Sequence, residues 1–104
     1  MIYVQVRIKG TPEGFNALNR EMAEYNRLMS RDGATPIANF VVRVGNGTGD
    51  QVHLFGYQDM AAYAAAMDKM AADAEWGAFL QRVGALSVTV DISILKPLPE
   101  SPLQ

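Results

Sequence analysis

The chain opens on a strict alternation. Ile2, Val4, Val6 and Ile8 are aliphatic, while Tyr3, Gln5, Arg7 and Lys9 between them carry polar groups. A period of two with one apolar side predicts a half-buried strand over 2–9, and Gly10 ends it. Thr11-Pro12-Glu13 reads as a helix start: a hydroxyl to cap free N–H groups, proline in the first turn, an acid near the positive helix end. Phe15, Leu18, Met22, Tyr25, Leu28 and Met29 then recur at helical spacing. They predict one helix that ends near Asp32-Gly33.

Pro36 to Val44 reads as a second strand and Gln51 to Tyr57 as a third. Gly45-Asn46-Gly47-Thr48-Gly49-Asp50 has the composition of a turn, which makes the two strands a hairpin. Asp59 caps a second helix striped by Met60, Tyr63, Ala64, Met67, Met70 and Ala71. Asp73 caps a further helical piece in which Trp76, Phe79, Leu80 and Val83 share a face. The last strand, Leu86 to Leu95, alternates Val88, Val90, Ile92 and Ile94 with Ser87, Thr89, Asp91 and Ser93. Pro97, Pro99 and Pro102 keep the end out of the sheet. The reading is one domain over 1–96 and a proline-rich tail over 97–104. Its β-α-β-β-α-β order predicts an α+β fold: a ferredoxin-like antiparallel sheet with first and last strands adjacent and the helices on one face.

Composition narrows the function classes. A chain of 104 residues buries a modest core, so a partner subunit would help it. A net charge of −2 offers no basic field for nucleic acid or anionic lipid. The absence of cysteine excludes disulfides, thiolate metal sites and cysteine nucleophiles, and a single histidine excludes a multi-histidine site within one chain. The N-terminus lacks the apolar run of a signal peptide and no segment approaches a membrane span, so the expected location is the cytoplasm.

The candidate chemistry comes from the side of the sheet away from the helices. The aliphatic sides of the first and last strands, with Val52 and Leu54 of the third, are expected to meet the helices. That leaves Tyr3, Gln5, Arg7, His53, Phe55, Tyr57, Thr89 and Asp91 on the other side. These are too polar for a dry core and too aromatic for broad exposure. A second copy of the chain is the expected cover, forming a homodimer that encloses a cavity for a small aromatic or carbonyl compound. The expected register sets Tyr3 near Tyr57, Arg7 near His53, and Asp91 near Gln5 or Arg7. The catalytic reading is then His53 moving a proton, Arg7 stabilising an enolate or phenolate, and Asp91 holding either in position. Tyr3, Gln5, Phe40, Phe55 and Tyr57 would contact the substrate. The second strand turns either Phe40 and Val42 or Asn39 and Val41 to that cavity, depending on register. Neither a metal nor a cofactor is called for. The competing reading is a non-catalytic binding or interaction module, with an Arg–Asp pair and a hydrogen-bonded histidine filling a dimer interior.

Other motifs add little. Gly45, Gly47 and Gly49 lack dinucleotide-fingerprint spacing and precede a strand. The methionines and Trp76 read as core. Tyr3, Phe55 and Tyr57 sit where an RNA-recognition sheet displays aromatics, but Asp50-Gln51-Val52-His53-Leu54 lacks that signature's basic and glycine opening.

Val52-His53-Leu54-Phe55-Gly56-Tyr57 resembles the V-H-L-W-x-Y strand of NIPSNAP-type proteins. Asp73-Ala74-Glu75-Trp76-Gly77-Ala78-Phe79 is similar to their D-P-E-W-x-x-F segment. Phe55 stands where tryptophan is common, and Ala74 where proline is. The resemblance runs from residue 1 to about residue 95 and implies the dimeric α+β barrel superfamily. Members of that superfamily include cofactor-free monooxygenases, isomerases, cyclases and haem enzymes, and the fold does not choose among them.

Overall fold

The computed structural model describes residues 1–84 and 89–104. In chain order its elements are β1 (Ile2–Lys9), α1 (Pro12–Arg20), α2 (Met22–Arg31), β2 (Thr35–Val41), β3 (Gln51–Tyr57), α3 (Met60–Ala72), α4 (Ala74–Gly84) and β4 (Thr89–Leu95). The sheet order is β2-β3-β1-β4, antiparallel throughout. This is the expected ferredoxin-like α+β arrangement, with first and last strands side by side. Leu86, Ser87 and Val88, read as the start of the last strand, lie outside the described residues. Among the described residues no helix is long and apolar enough to cross a membrane.

The caps act as the sequence implies. Thr11 Oγ1 accepts from the Gly14 N–H at 3.1 Å, and Asp59 Oδ1 from Ala62 at 2.8 Å. Asp73 Oδ1 accepts from Glu75 and Trp76 at 3.0 and 3.4 Å. The single first helix is a misreading, because Glu21 interrupts it with φ −99° and ψ 8°. The Glu21 N–H is shared between the carbonyls of Ala17 and Leu18 at 3.2 and 3.1 Å, a tightened final turn. The apolar stripe crosses the break undisturbed, since Leu18, Tyr25, Leu28 and Met29 are all buried in one core. The second strand also ends early, at Val41. Val42 still exchanges backbone hydrogen bonds with Asp50 and Gly49, but as the base of the loop.

The third strand carries the main correction. Ile2 pairs with Tyr57, Val4 with Phe55 and Val6 with His53, one residue away from the expected register. Opposed residues share a face, so one step reverses the whole strand. His53, Phe55 and Tyr57 go under the helices, and Val52 and Leu54 go to the open side. Gly56 shows why. A Cβ there would come within 2.8 Å of the Met1 methyl and 3.4 Å of Ile37 on the crowded open side. Glycine avoids that contact without the Met1 side chain having to move, in keeping with its place on the crowded side.

The hairpin loop curls over the open side. Arg7 Nη2 donates to the Asn46 carbonyl at 2.6 Å and lies 3.4 Å from Asp50 Oδ2. Gly47, at φ +77°, has no room for a Cβ, which would run into the Asp50 carboxylate and the Arg7 guanidinium. Gly47→Ala is therefore expected to cost about 1–3 kcal/mol in urea unfolding, from backbone strain and loss of the loop's anchor. The tail returns to the same side, where Tyr3 donates its O–H to the Gln104 carbonyl at 2.9 Å.

Candidate functional site

The helix layer does not cover the sheet evenly. α3 is largely alanine, with Ala66 its buried position, so it fills little volume above the strands. On β4 the helix-side residues Val90, Ile92 and Ile94 remain 48%, 54% and 44% exposed. Between these surfaces lies an apolar cavity of about 200 Å3. Its floor is Val4, Val6 and Ile8 of β1, Val90 and Ile92 of β4, and Tyr57 of β3. α3 supplies Tyr63, Met67 and Met70, and α4 supplies Trp76, Phe79, Leu80 and Val83. Leu18, Tyr25 and Met29 close the inner end.

Aromatic packing holds these walls. Trp76 and Phe79 stack at 5.3 Å and 17°. Tyr25 touches both at 6.0 and 5.9 Å, and its other side meets His53 at 5.0 Å and Phe55 at 5.7 Å. Tyr63 packs edge-on against Tyr57 at 5.2 Å and 82°. At its far end α4 is moored to α2 through Arg31, which pairs with Asp73 and, at 3.0 Å, with Glu75.

Three titratable groups in this core are kept uncharged. Burial pushes the Tyr57 phenol up to about 12, with the neighbouring Tyr63 adding to the effect. Burial, then Tyr57, also raises the Tyr25 phenol. Burial lowers His53 to about 4, so its imidazole is neutral at pH 7. Gln51 Nε2 donates to Asn19 Oδ1 at 2.7 Å, leaving Gln51 Oε1 to accept from His53 Nε2 at 2.9 Å. The histidine proton is thereby placed on Nε2 and the Nδ1 lone pair is bare. Two of the buried atoms without a hydrogen-bond partner among the described residues are His53 Nδ1 and the Tyr57 hydroxyl.

The residues picked from the sequence are divided by the sheet. Tyr3, Gln5, Arg7, Phe40 and Asp91 lie on the open side by register, and His53, Phe55 and Tyr57 on the helix side. Arg7 and Asp91 are cross-strand partners, as one expected register had them, but the hydrogen bonds of Arg7 go to Asn46 and Asp50. His53 cannot join them through the sheet, so the proposed catalytic cluster does not assemble within a protomer. The RNA-type display fails for the same reason, because Phe55 and Tyr57 are core residues. On β2, Phe40 takes the open side while Asn39 turns to α2 and hydrogen-bonds Asn26 at 2.8 Å. Of all these, Tyr57 alone lines the apolar cavity. The other lining residues read from the sequence as core: helix stripes on one layer, and on the other the aliphatic sides of the first and last strands. Their unusual aromatic and methionine content beside an alanine-rich α3 was the available signal.

A second depression, of about 430 Å3, lies at the outer edge between Phe15, Met22, Asn39 and Phe40. Its size reflects its openness to solvent, and its Gln51 amide is already committed to Asn19 and His53. Among the described residues no group of histidines and acids is arranged to hold a metal ion.

Sheet and helices define a ferredoxin-like α+β domain with a cavity between its layers. The sequence matches the NIPSNAP family over residues 9–102, and the chain belongs to that family. A NIPSNAP family protein from Agrobacterium tumefaciens is 25% identical with a TM-score of 0.83, each chain being covered in full. Another protein from that organism is 21% identical with a TM-score of 0.87, again with 100% of both chains covered. The cofactor-independent oxygenase SnoaB from Streptomyces nogalater is 13% identical with a TM-score of 0.65, over 98% of this chain and 95% of that one. These last two likenesses speak to the fold. No curated protein matches the sequence.

Proposed function

We propose that this protein is a homodimer whose protomers each bind a small aromatic or carbonyl compound between helices and sheet. The observation that carries the reading is the aromatic-walled cavity of about 200 Å3. A cavity of about 150 Å3 takes up benzene, so this one suits a single substituted ring. The cavity therefore lies on the opposite side of the sheet from the one the alternation implied.

The dimer rests on the open side. Met1, Ile37, Phe40 and Leu95 are exposed there, beside half-buried Val52 and Leu54. Arg7 and Asp91, of opposite sign, share that face, which suits a two-fold contact with a second copy. A solution mass of twice the 11.3 kDa chain is expected, and Leu54→Lys should halve it without unfolding the protein. A monomeric parent protein would overturn the dimer.

SnoaB raises cofactor-free catalysis for this chain as well. The cavity's described lining holds phenols but no carboxylate, imidazole or amine, so it supports binding more than turnover. Titration with toluene tests the reading through the methionine methyl resonances. Met29, Met67 and Met70 are expected to shift while Met1, on the open side, stays still. Shifts confined to Met1, or none, would contradict it.

A further inference from the structure

The cavity has an apolar mouth. Among its described lining residues, Leu80 of α4 and Val90 and Ile92 of β4 are about half exposed, whereas Val4, Val6 and Ile8 of the floor and Trp76 and Phe79 of the wall are buried. Chamber and solvent therefore meet between α4 and β4. Ile94 follows Ile92 on the same side of β4, is itself 44% exposed, and stands opposite Val4 of the cavity floor. Val90, Ile92 and Ile94 thus form one strip that begins inside the cavity and continues out of it. Ile94 lies about 7 Å past Ile92, roughly the reach of a five-carbon chain. Such a strip gains free energy when apolar matter lies along it. Continuity names the occupant: a ring that fills a chamber of about 200 Å3 leaves its substituent only the mouth. The described lining has no Lys, Arg, His, Asp or Glu, so a charged group finds no partner inside and belongs beyond the rim.

We propose that the cavity's ligand is an alkylated aromatic, a single ring in the chamber with a linear chain that leaves between Leu80 and Ile92 and lies along Ile94. The inference rests on the binding reading and adds the ligand's shape. The buried walls hold the ring, and the chain adds affinity with each methylene that the strip half-covers. The far end of the chain is in water and tolerates a charge.

Calorimetry on the full chain with toluene, n-pentylbenzene, phenylacetate and ω-phenylhexanoate tests it. n-Pentylbenzene is expected to bind about 10–20-fold more tightly than toluene, from further methylenes that are each half-covered. Of the two acids only ω-phenylhexanoate should bind, because only its carboxylate clears the rim while the ring is seated. In Ile94→Ser the advantage of n-pentylbenzene should shrink about 3–5-fold, while toluene affinity stays within about twofold. Ile94→Thr keeps the branched side chain that a strand favours and makes the same comparison should the serine variant fail to fold. Equal affinities for toluene and n-pentylbenzene would overturn the ligand shape and leave the cavity reading standing. So would phenylacetate binding as tightly as ω-phenylhexanoate, no binding of ω-phenylhexanoate, or a chain advantage untouched in the Ile94 variants. If neither toluene nor n-pentylbenzene binds, the cavity reading falls with it.

Discussion

Phe55→Ala lowers the unfolding free energy by about 3–5 kcal/mol, a large share of what a small domain has. Phe55 is fully buried, pairs with Val4 across β1 and β3, and packs on Tyr25, which also bears on Trp76 and Phe79. Truncation leaves a void at the junction of sheet, α2 and α4 that the close-packed surroundings cannot fill. Urea unfolding with an unchanged m-value would measure it. The size of the effect discriminates between the two faces of β3. On the open side, Phe55 would sit outside the protomer's core, and its truncation would cost less than about 1.5 kcal/mol. A loss that small would refute the register in which Phe55 opposes Val4.

That register shows where the sequence could be read and where it could not. On β1 the alternation sets aliphatic residues against Gln5, Arg7 and Lys9, so the buried side is unambiguous and the structure agrees. On β3 both sides are apolar: Val52 and Leu54 on one, His53, Phe55 and Tyr57 on the other. Periodicity cannot choose between two greasy faces. The histidine and tyrosine suggested the wetter side, yet the aromatic rings bury more area and win the core. Gly56 was the legible clue, since a glycine inside a strand marks close approach on its own side. The helix caps at Thr11, Asp59 and Asp73 were readable because each depends on a local pattern. The cavity was not. It is space left by a thin, alanine-rich α3 and an uncovered β4, and emptiness has no residue to announce it.

Acid should weaken the fold through His53. In the unfolded chain the imidazole takes a proton near pH 6.5, whereas burial delays protonation in the native state to about pH 4. Between those values the unfolded state binds more protons, so stability falls as pH drops. The contribution is intact at pH 7 and is lost by pH 4, at up to about 3 kcal/mol. Protonation would also place a charge beside the Tyr25 ring, with the bare Nδ1 gaining a proton and finding no acceptor. His53→Gln should flatten the dependence between pH 6.5 and 4. Asp73 and Glu75, held below their ordinary range chiefly by hydrogen bonds from Arg31 and Arg27 respectively, act in the other window. Their contribution disappears only at lower pH, as each carboxylate protonates, and should survive in His53→Gln. Urea midpoints at half-unit pH steps would reveal both limbs. An unaltered slope above pH 4 in the variant would mean that another group carries it.

A crystal structure of the protein grown with acetophenone bears most directly on the site. The ring should lie between Trp76 and Phe79 on the helix side and Val6 and Ile92 on the sheet. Density for the ketone against Arg7 and Asp91 on the open side, with the interlayer cavity empty, would contradict the placement of function in this protein.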